Sequence, residues 1–308
     1  MFNDLNLKMI IDIHAHLSYN KIYPESFILN MFENENANLK RSDLSVLLQL
    51  FFNDRYCKQI IKQMDHANIS KTVLQIIDCG IGIEEPEYEI SAIHQMHHYI
   101  LTKYSDRFLV FSGVDPRRGK LGLDLFKKGV EKYGFKGLKL YPPLGYAPND
   151  HIFEPYYEIC KQYNLPVLIH FGPSQKNMRN EFSNSNLIYE TTKKHNNINF
   201  ILAHTGYILG DVALQKLIKL PNVFFDISGF QSKFSKVDND MINAMKYIFS
   251  KEYCEKVLFG SDWPLFNIMT PLKTHVDLIN KLFEEVGAEK NAFENVMYNN
   301  AKRILNLD

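Results

Sequence analysis

Two histidines, His14 and His16, stand two residues apart inside the apolar stretch MIIDIHAHLSY near the start of the chain. Residues so spaced on a strand project to one face, so two imidazoles at one height can clamp one cation. A core seldom tolerates polar rings without partners. Four more reactive side chains each fall near the end of a short apolar run: Lys139 in FKGLKLYP, His170 in LPVLIHFG, His204 in INFILAHTG and Asp262 in KVLFGSDWP. Nitrogen and carboxylate donors with an open coordination position form a catalytic zinc-type set. Taken alone, each has a plainer reading. A single strand histidine is more often a satisfied core residue, Lys139 could be a buried ion-pair partner, and Asp262 could cap the helix that follows Pro264. The weight lies in their joint order at successive strand ends.

The elements that must position them are legible as a rhythm. Eight runs read as strands: 9–16, 71–78, 107–115, 135–142, 165–172, 198–206, 222–229 and 256–264. Amphipathic segments such as RYCKQIIKQMDHANI and IFEPYYEICKQYN lie between them, apolar at i, i+3 and i+4. This alternation predicts βαβ units and a parallel sheet. Eight units in 308 residues predict a (β/α)8 TIM barrel, a single domain over 1–308. An open doubly wound sheet is the alternative, disfavoured because no Gly-rich phosphate loop follows the first strand. Catalytic groups of barrels sit at the C-terminal strand ends, and the intervals agree. Lys139 to His170 is 31 residues, His170 to His204 is 34, and His204 to Asp262 is 58, near two such steps. On the first strand, His14 and His16 are expected inward, with Ile11, Ile13 and Ala15 towards the helices. An insertion at about 18–54, containing NMFENENANLKRSDLSVLLQLFF, breaks the rhythm where a strand-1 loop would overhang the mouth. A lid or partner contact and a solvated surface excursion both fit it.

Lys+Arg and Asp+Glu number 35 each, so the charge balance points to no nucleic acid and no membrane and favours a small-molecule substrate. The cysteines, Cys57, Cys79, Cys160 and Cys254, are scattered without a C-x-x-C pair and fit a reducing compartment better than a disulfide framework. No basic-then-apolar leader is seen at the N-terminus, and no apolar run nears the roughly 20 residues of a membrane span. The expectation is a soluble, cytoplasmic protein, with a homo-oligomer left open.

Together, IDIHAH, QMDHANISKTVL, YSDRFLVFSGVDP, FKGLKLYPPLGYAPND, FEPYYEICKQYNLPVLIHFG, NFILAHTG, VFFDISG, KVLFGSDWP and NNAKRILNL resemble the amidohydrolase superfamily. The resemblance is to its amidohydrolase-related branch, which includes aminocarboxymuconate-semialdehyde decarboxylase. It implies that His14, His16, His170 and Asp262 bind a divalent metal, Zn2+ foremost, with His204 beside it as acid/base group or electrophile. It implies a metal-activated water whose pKa is lowered towards neutrality, with Asp262 accepting the proton and the substrate oxygen polarised by metal or His204. Lys139 is ambiguous. In binuclear members a lysine here is carbamylated and bridges two metals, His170 and His204 then serving the second. In the decarboxylase-like branch one metal suffices and the lysine stays a cation facing an anionic substrate. One metal is the expectation, because the surrounding motifs resemble that branch. The implied activity is hydrolysis of a C–N or C–O bond in a small molecule, such as a cyclic amide or lactone. Non-oxidative decarboxylation of a small carboxylic acid at the same site is the alternative. A catalytically inactive barrel acting as a binding protein is the second.

Arg117 and Arg118 in VDPRRG could fork onto a substrate carboxylate, as could Lys176 and Arg179 in PSQKNMRN; exposed loop cations are the plainer reading. Tyr141 shares the face of Lys139 and Trp263 follows Asp262, so both could wall the pocket or simply pack. Cys79 reads as a small apolar filler. His94, His97 and His98 share a helical stretch and read as a solvated face, while His66 and His195 carry no functional expectation.

Overall fold

The structure is a computed structural model that describes residues 9–33, 46, 50, 52–171, 174–175, 177–205, 214–233, 239–268 and 270–307. Its eight strands are β1 (Ile10–Ala15), β2 (Ile69–Gln75), β3 (Phe108–Gly113), β4 (Leu138–Leu140), β5 (Val167–Ile169), β6 (Phe200–Leu202), β7 (Val223–Asp226) and β8 (Val257–Leu258). They pair in parallel in sequence order. The ring closes where Ile13 N donates to Phe259 O at 2.9 Å and Asp262 N to His14 O at 2.7 Å. This is the predicted (β/α)8 barrel, and the sequential order with closure rules out an open doubly wound sheet. No described helix is long and apolar enough to cross a membrane.

The period of two sorts the strand residues into two layers. Lys139, Leu168 and Ile201 are register partners, and Ile201 pairs with Phe224; these face the barrel interior. Leu168, Ile201 and Phe224 pack there with Val73, Leu109, Phe111 and Leu258, and Ala301 and Ile304 of the last helix (Asn300–Ile304), with Leu305 just after it, join the same cluster. The alternate residues, among them Leu74, Val110, Leu138, Val167 and Phe225, pack against the surrounding helices.

One expectation fails on β1. Ile11 and Ile13 belong to the interior layer, not the helix-facing one, whereas Ala15 does face the helices. A register irregularity between Asp12 and Ala15 breaks the alternation, as bulges do beside functional sites. It lets Ile13 fill the barrel while His14, the next residue, still turns to the groups at the mouth.

The insertion leaves and rejoins the barrel through a tied neck. Asp54 N donates to Ser18 O at 2.6 Å, Asn20 N donates to Phe52 O at 2.9 Å, and Tyr19 and Asn53 form an antiparallel bridge. Asp54 then caps the helix Lys58–Ala67, its carboxylate accepting from the backbone of Lys58, Gln59 and Ile60. Inside the neck lies the helix Glu25–Glu33. Much of the rest of the expected 18–54 excursion, residues 34–45, 47–49 and 51, lies outside the described residues, as does Lys176.

Candidate metal centre

The strand runs read from sequence overshoot the observed ladders at their C-terminal ends, and His16, His170, His204 and Asp262 sit in that overshoot, whereas His14 and Lys139 lie within β1 and β4. His170, His204 and Asp262 each lie past the last residue of β5, β6 and β8. His204 and Asp262 turn off with φ of 62° and 52°, a left-handed conformation that costs a non-glycine residue free energy and clusters at functional sites. The β8 turn is fixed to β1 by Asp12, whose carboxylate accepts Ser261 N at 2.9 Å and Ser261 Oγ at 2.6 Å. Ser261 Oγ accepts Trp263 N at 3.1 Å, so Asp262 is gripped on both sides.

Backbone carbonyls and carboxylates accept, so their contacts assign the imidazole tautomers. His16 Nδ1 is 3.0 Å from Gln75 O and must donate to it. His14 Nδ1 donates to Asp226 Oδ2 at 2.9 Å. His14, which burial holds neutral, therefore turns an Nε2 lone pair towards Asp262 Oδ1 at 3.7 Å, and His16 Nε2 stands 3.2 Å from the same oxygen. An acceptor facing an acceptor at such range calls for positive charge between them. Lys139 Nζ lies 3.2 Å from His14 Nε2 on the same side.

A second chain of contacts leads to His170. Ser228 Oγ donates to Asp226 Oδ1, which leaves His204 Nδ1 donating to Ser228, at 2.9 Å from Oγ and 3.3 Å from the carbonyl. His204 Nε2 then accepts from His170 Nδ1 at 3.2 Å. His170 Nε2 is left as a buried lone pair with no hydrogen-bond partner among the described residues. Among the described residues, two groups hold ligand atoms within 4.8 Å of one another, His14–His16–Asp262 and His14–His204–Asp226. The structure thus brings three of the four expected ligands together at contact range. His170 stands one ring away, its centroid 4.8 Å from that of His204.

Asp226 and Ser228, absent from the sequence-level list, join the two groups. Asp226 also accepts His204 N at 2.9 Å and Ser228 N at 3.0 Å. Metal-binding histidines commonly donate their other nitrogen to such a carboxylate, which fixes tautomer and orientation. The signal was available: the 58-residue gap between His204 and Asp262 left the seventh strand end empty, and VFFDISG puts Asp226 there.

Electrostatics set the same protonation states. Burial, reinforced by Lys139, holds His14 well below the usual imidazole range; burial and His204 do so for His170. Burial pushes the Lys139 ammonium down to about 8 against the pull of Asp262 and Asp226. Burial raises the Asp262 carboxyl, but His14, His16 and His204 outweigh it and keep the group below its ordinary value. His14 and His170 are thus held neutral, as a divalent cation requires of its imidazole ligands.

The expected pocket walls divide. Tyr141 stacks at 4.3 Å on the His170 ring and contacts Ser174. Trp263 is buried beside Asp262, and its indole Nε1 has no acceptor among the described residues. Arg117 instead grips Asp115 and the carbonyl of Leu144, and Arg118 grips Asp78 and Glu85. Arg179 is exposed beside Glu181. The Cys79 thiol is buried and pushed well above its usual range by that burial, consistent with a filler.

His94 and His97 do not lie on a solvated face. Both are buried in the helix Ile90–Lys103, capped by the carbonyls of Ile90 and Ile93, with His94 Nε2 at 2.9 Å from Ser112 Oγ. Burial lowers His94 to about 4 and His97 to about 3. An unfolded histidine titrates near 6.5, so the unfolded chain binds more protons below that pH and stability falls as pH drops towards 4. Urea unfolding at a series of pH values should show the gap between the wild type and His94→Gln narrowing by about 3 kcal/mol from pH 6.5 to 4. A gap independent of pH would overturn the neutral-ring assignment.

With this geometry in hand, comparison with known proteins is informative. A family model described as Amidohydrolase matches residues 83–307, so the HxH strand precedes the matched region. No curated protein matches the chain. Solved structures that resemble it over nearly the whole fold include an uncharacterised TIM-barrel protein from Bordetella bronchiseptica (16% identity, 97% and 98% of the two chains, TM-score 0.69). Another is 5-carboxyvanillate decarboxylase from Novosphingobium aromaticivorans with bound manganese (14%, 97% and 97%, TM-score 0.66). A third is a probable 2-pyrone-4,6-dicarboxylic acid hydrolase from Acinetobacter baumannii (17%, 97% and 99%, TM-score 0.63). At these identities the likeness is one of fold.

Proposed function

We propose that this chain, which belongs to the amidohydrolase family, is a metal-dependent hydrolase that cleaves a C–N or C–O bond of a small molecule such as a cyclic amide or lactone. The observation that supports the reading is the convergence of His14 Nε2 and His16 Nε2 on Asp262 Oδ1, at 3.7 and 3.2 Å, three ligand atoms close enough for a shared cation to join. His14, His16, His170 and Asp262 would hold one divalent ion, Zn2+ on the chemistry of three imidazoles and a carboxylate. When bound, that ion supplies Lewis acidity and brings the pKa of a water towards neutrality. Asp262, at 3.2 Å from His16 Nε2, would accept the proton of the attacking water. His204 polarises the substrate oxygen or returns a proton to the leaving group. Lys139 stays a cation and meets negative charge on the substrate; if carbamylated, it would serve a second ion. The same reading places the enzyme in the cytoplasm, where its free cysteines stay reduced.

A second reading, non-oxidative decarboxylation of a small carboxylic acid, is favoured by the buried Lys139 ammonium 3.2 Å from His14, a ready partner for a carboxylate. Elemental analysis of the purified protein should give about one transition-metal ion per chain. Turnover across lactones, cyclic amides and aromatic acids should consume water and release no CO2. Release of CO2 would replace the first reading by the second; stoichiometric metal in a His14/His16 double-alanine variant would overturn the ligand set. Reconstitution indifferent to bicarbonate is expected for an uncarbamylated Lys139.

A further inference from the structure

Ile13 and His14 have no register partner on β2, although their neighbours do: Asp12 pairs with Thr72 and Ala15 with Leu74. Across this step β1 carries one residue more than β2, the mark of a bulge. Backbone polar groups buried away from water must find partners, and both groups of the peptide joining Ile13 to His14 find them in side chains. Ile13 O accepts from Gln75 Nε2 at 2.9 Å, and His14 N donates to Asp12 Oδ1 at 3.2 Å. In a regular strand that turns Ile11 and Ile13 inward, His14 would face the helices. The bulge alone brings it inside.

Gln75 is the last residue of β2 and is fully buried. It holds the histidine pair at two points. The side chain grips the carbonyl that precedes His14, and the backbone carbonyl accepts from His16 Nδ1 at 3.0 Å. The amide works as a donor only, because Oε1 is buried and has no hydrogen-bond partner among the described residues. A buried acceptor left unpaired costs free energy, so the N–H is what an amide brings to this position.

We infer that Gln75 is a positioning residue of the metal centre: by bonding Ile13 O it locks the β1 bulge and so aims the His14 Nε2 lone pair at the cation site. Its side chain acts through the peptide before His14. The inference rests on the metal-centre reading for what His14 and His16 hold. Without the N–H the bulge is free to relax towards regular pairing, and a slip of one residue along a strand exchanges its two faces. His14 Nε2 then leaves Asp262, and its Nδ1–H leaves Asp226.

Gln75→Met keeps the length of the side chain and removes the donor together with the unpaired Oε1, which limits the cost to stability. Cobalt(II), added to the full-length metal-free protein against a competing chelator, reads affinity and coordination. The imidazole N–H resonances of protein carrying isotope-labelled histidine read ring placement without metal. Gln75→Met should bind cobalt about 10- to 100-fold more weakly, the range for groups that orient ligands, and with an altered visible spectrum. In the metal-free protein the His14 Nδ1–H resonance, assigned with His14→Ala, should exchange faster with water. Ile100→Ala, a core truncation in the helix Ile90–Lys103, controls for lost stability and should leave both readings as in the wild type. Where the melting curve shows that Gln75→Met has not folded, Gln75→Asn, which draws the amide back from Ile13 O, should give the same losses. A cobalt affinity within about threefold of wild type, an unchanged His14 resonance, or equal losses in Ile100→Ala would each overturn the inference. A wild type that binds no cobalt, with the His14 resonance still altered in Gln75→Met, would instead overturn the metal reading alone.

Discussion

His14→Ala and Asp262→Asn each lose the bound ion and with it at least about three orders of magnitude in kcat, the scale on which several kcal/mol of transition-state stabilisation is withdrawn. The two variants fail for different reasons, and that difference is the useful part. Removing the His14 ring deletes a ligand and also strands Asp226, buried with no exposed surface, without the Nδ1–H it accepts at 2.9 Å. A buried charge left short of a donor is costly, so the thermal midpoint should fall as well. Asp262→Asn keeps the shape and gains N–H donors that can face His16 Nε2, 3.2 Å from the carboxylate oxygen now. That variant should keep its fold and lose its metal. Elemental analysis beside a melting curve separates the cases. Full metal occupancy in Asp262→Asn would show that the convergence on Asp262 has been misread.

The barrel was legible because burial on both faces gives a parallel strand a continuous β-branched run, and all eight such runs became strands. What the runs could not convey was where the ladder stops. His170, His204 and Asp262 extend apolar stretches but lie beyond the paired backbone, where two of them adopt positive φ. Period-two reasoning gave His14 the right neighbours and Ile13 the wrong side, since a register irregularity in β1 leaves no mark in residue type. The insertion was legible as an excess of residues, and its neck at 18–20 and 52–54 is closed by backbone bonds. The meeting of its helix with the segment after β5 was not, because that depends on a side-chain contact spanning 148 positions, Gln175 to Phe27. Arg117 shows the converse: a cation at the mouth invites a substrate role, yet its near neighbour Asp115 takes up Nε and Nη2.

Asp226 is the residue through which the two halves of the centre are aligned, and Asp226→Asn tests this without removing a candidate ligand of the proposed set. The carboxylate accepts four donors: His14 Nδ1, His204 N, Ser228 N and Ser228 Oγ. An amide has one acceptor oxygen and a donor nitrogen in its place. Wherever the nitrogen falls, one N–H or O–H meets another donor. If it falls towards His14, the ring is driven to the tautomer with hydrogen on Nε2, the atom that faces Asp262. The lone pair meant for the cation is then gone, although no proposed ligand has been touched. Metal affinity should fall by about 10- to 100-fold, the usual range for such supporting carboxylates, measured by competition with a chelator. Ser228→Ala removes one donor to Asp226 and the Oγ contacts with His14 and His204 but leaves the His14–Asp226 bond, so its loss should be smaller. Activity of Asp226→Asn should recover in part at saturating metal, which a collapsed site would not permit. An affinity within threefold of wild type would mean that His14 is oriented by its strand alone, and that Asp226 is only a buried acceptor for the backbone of His204 and Ser228.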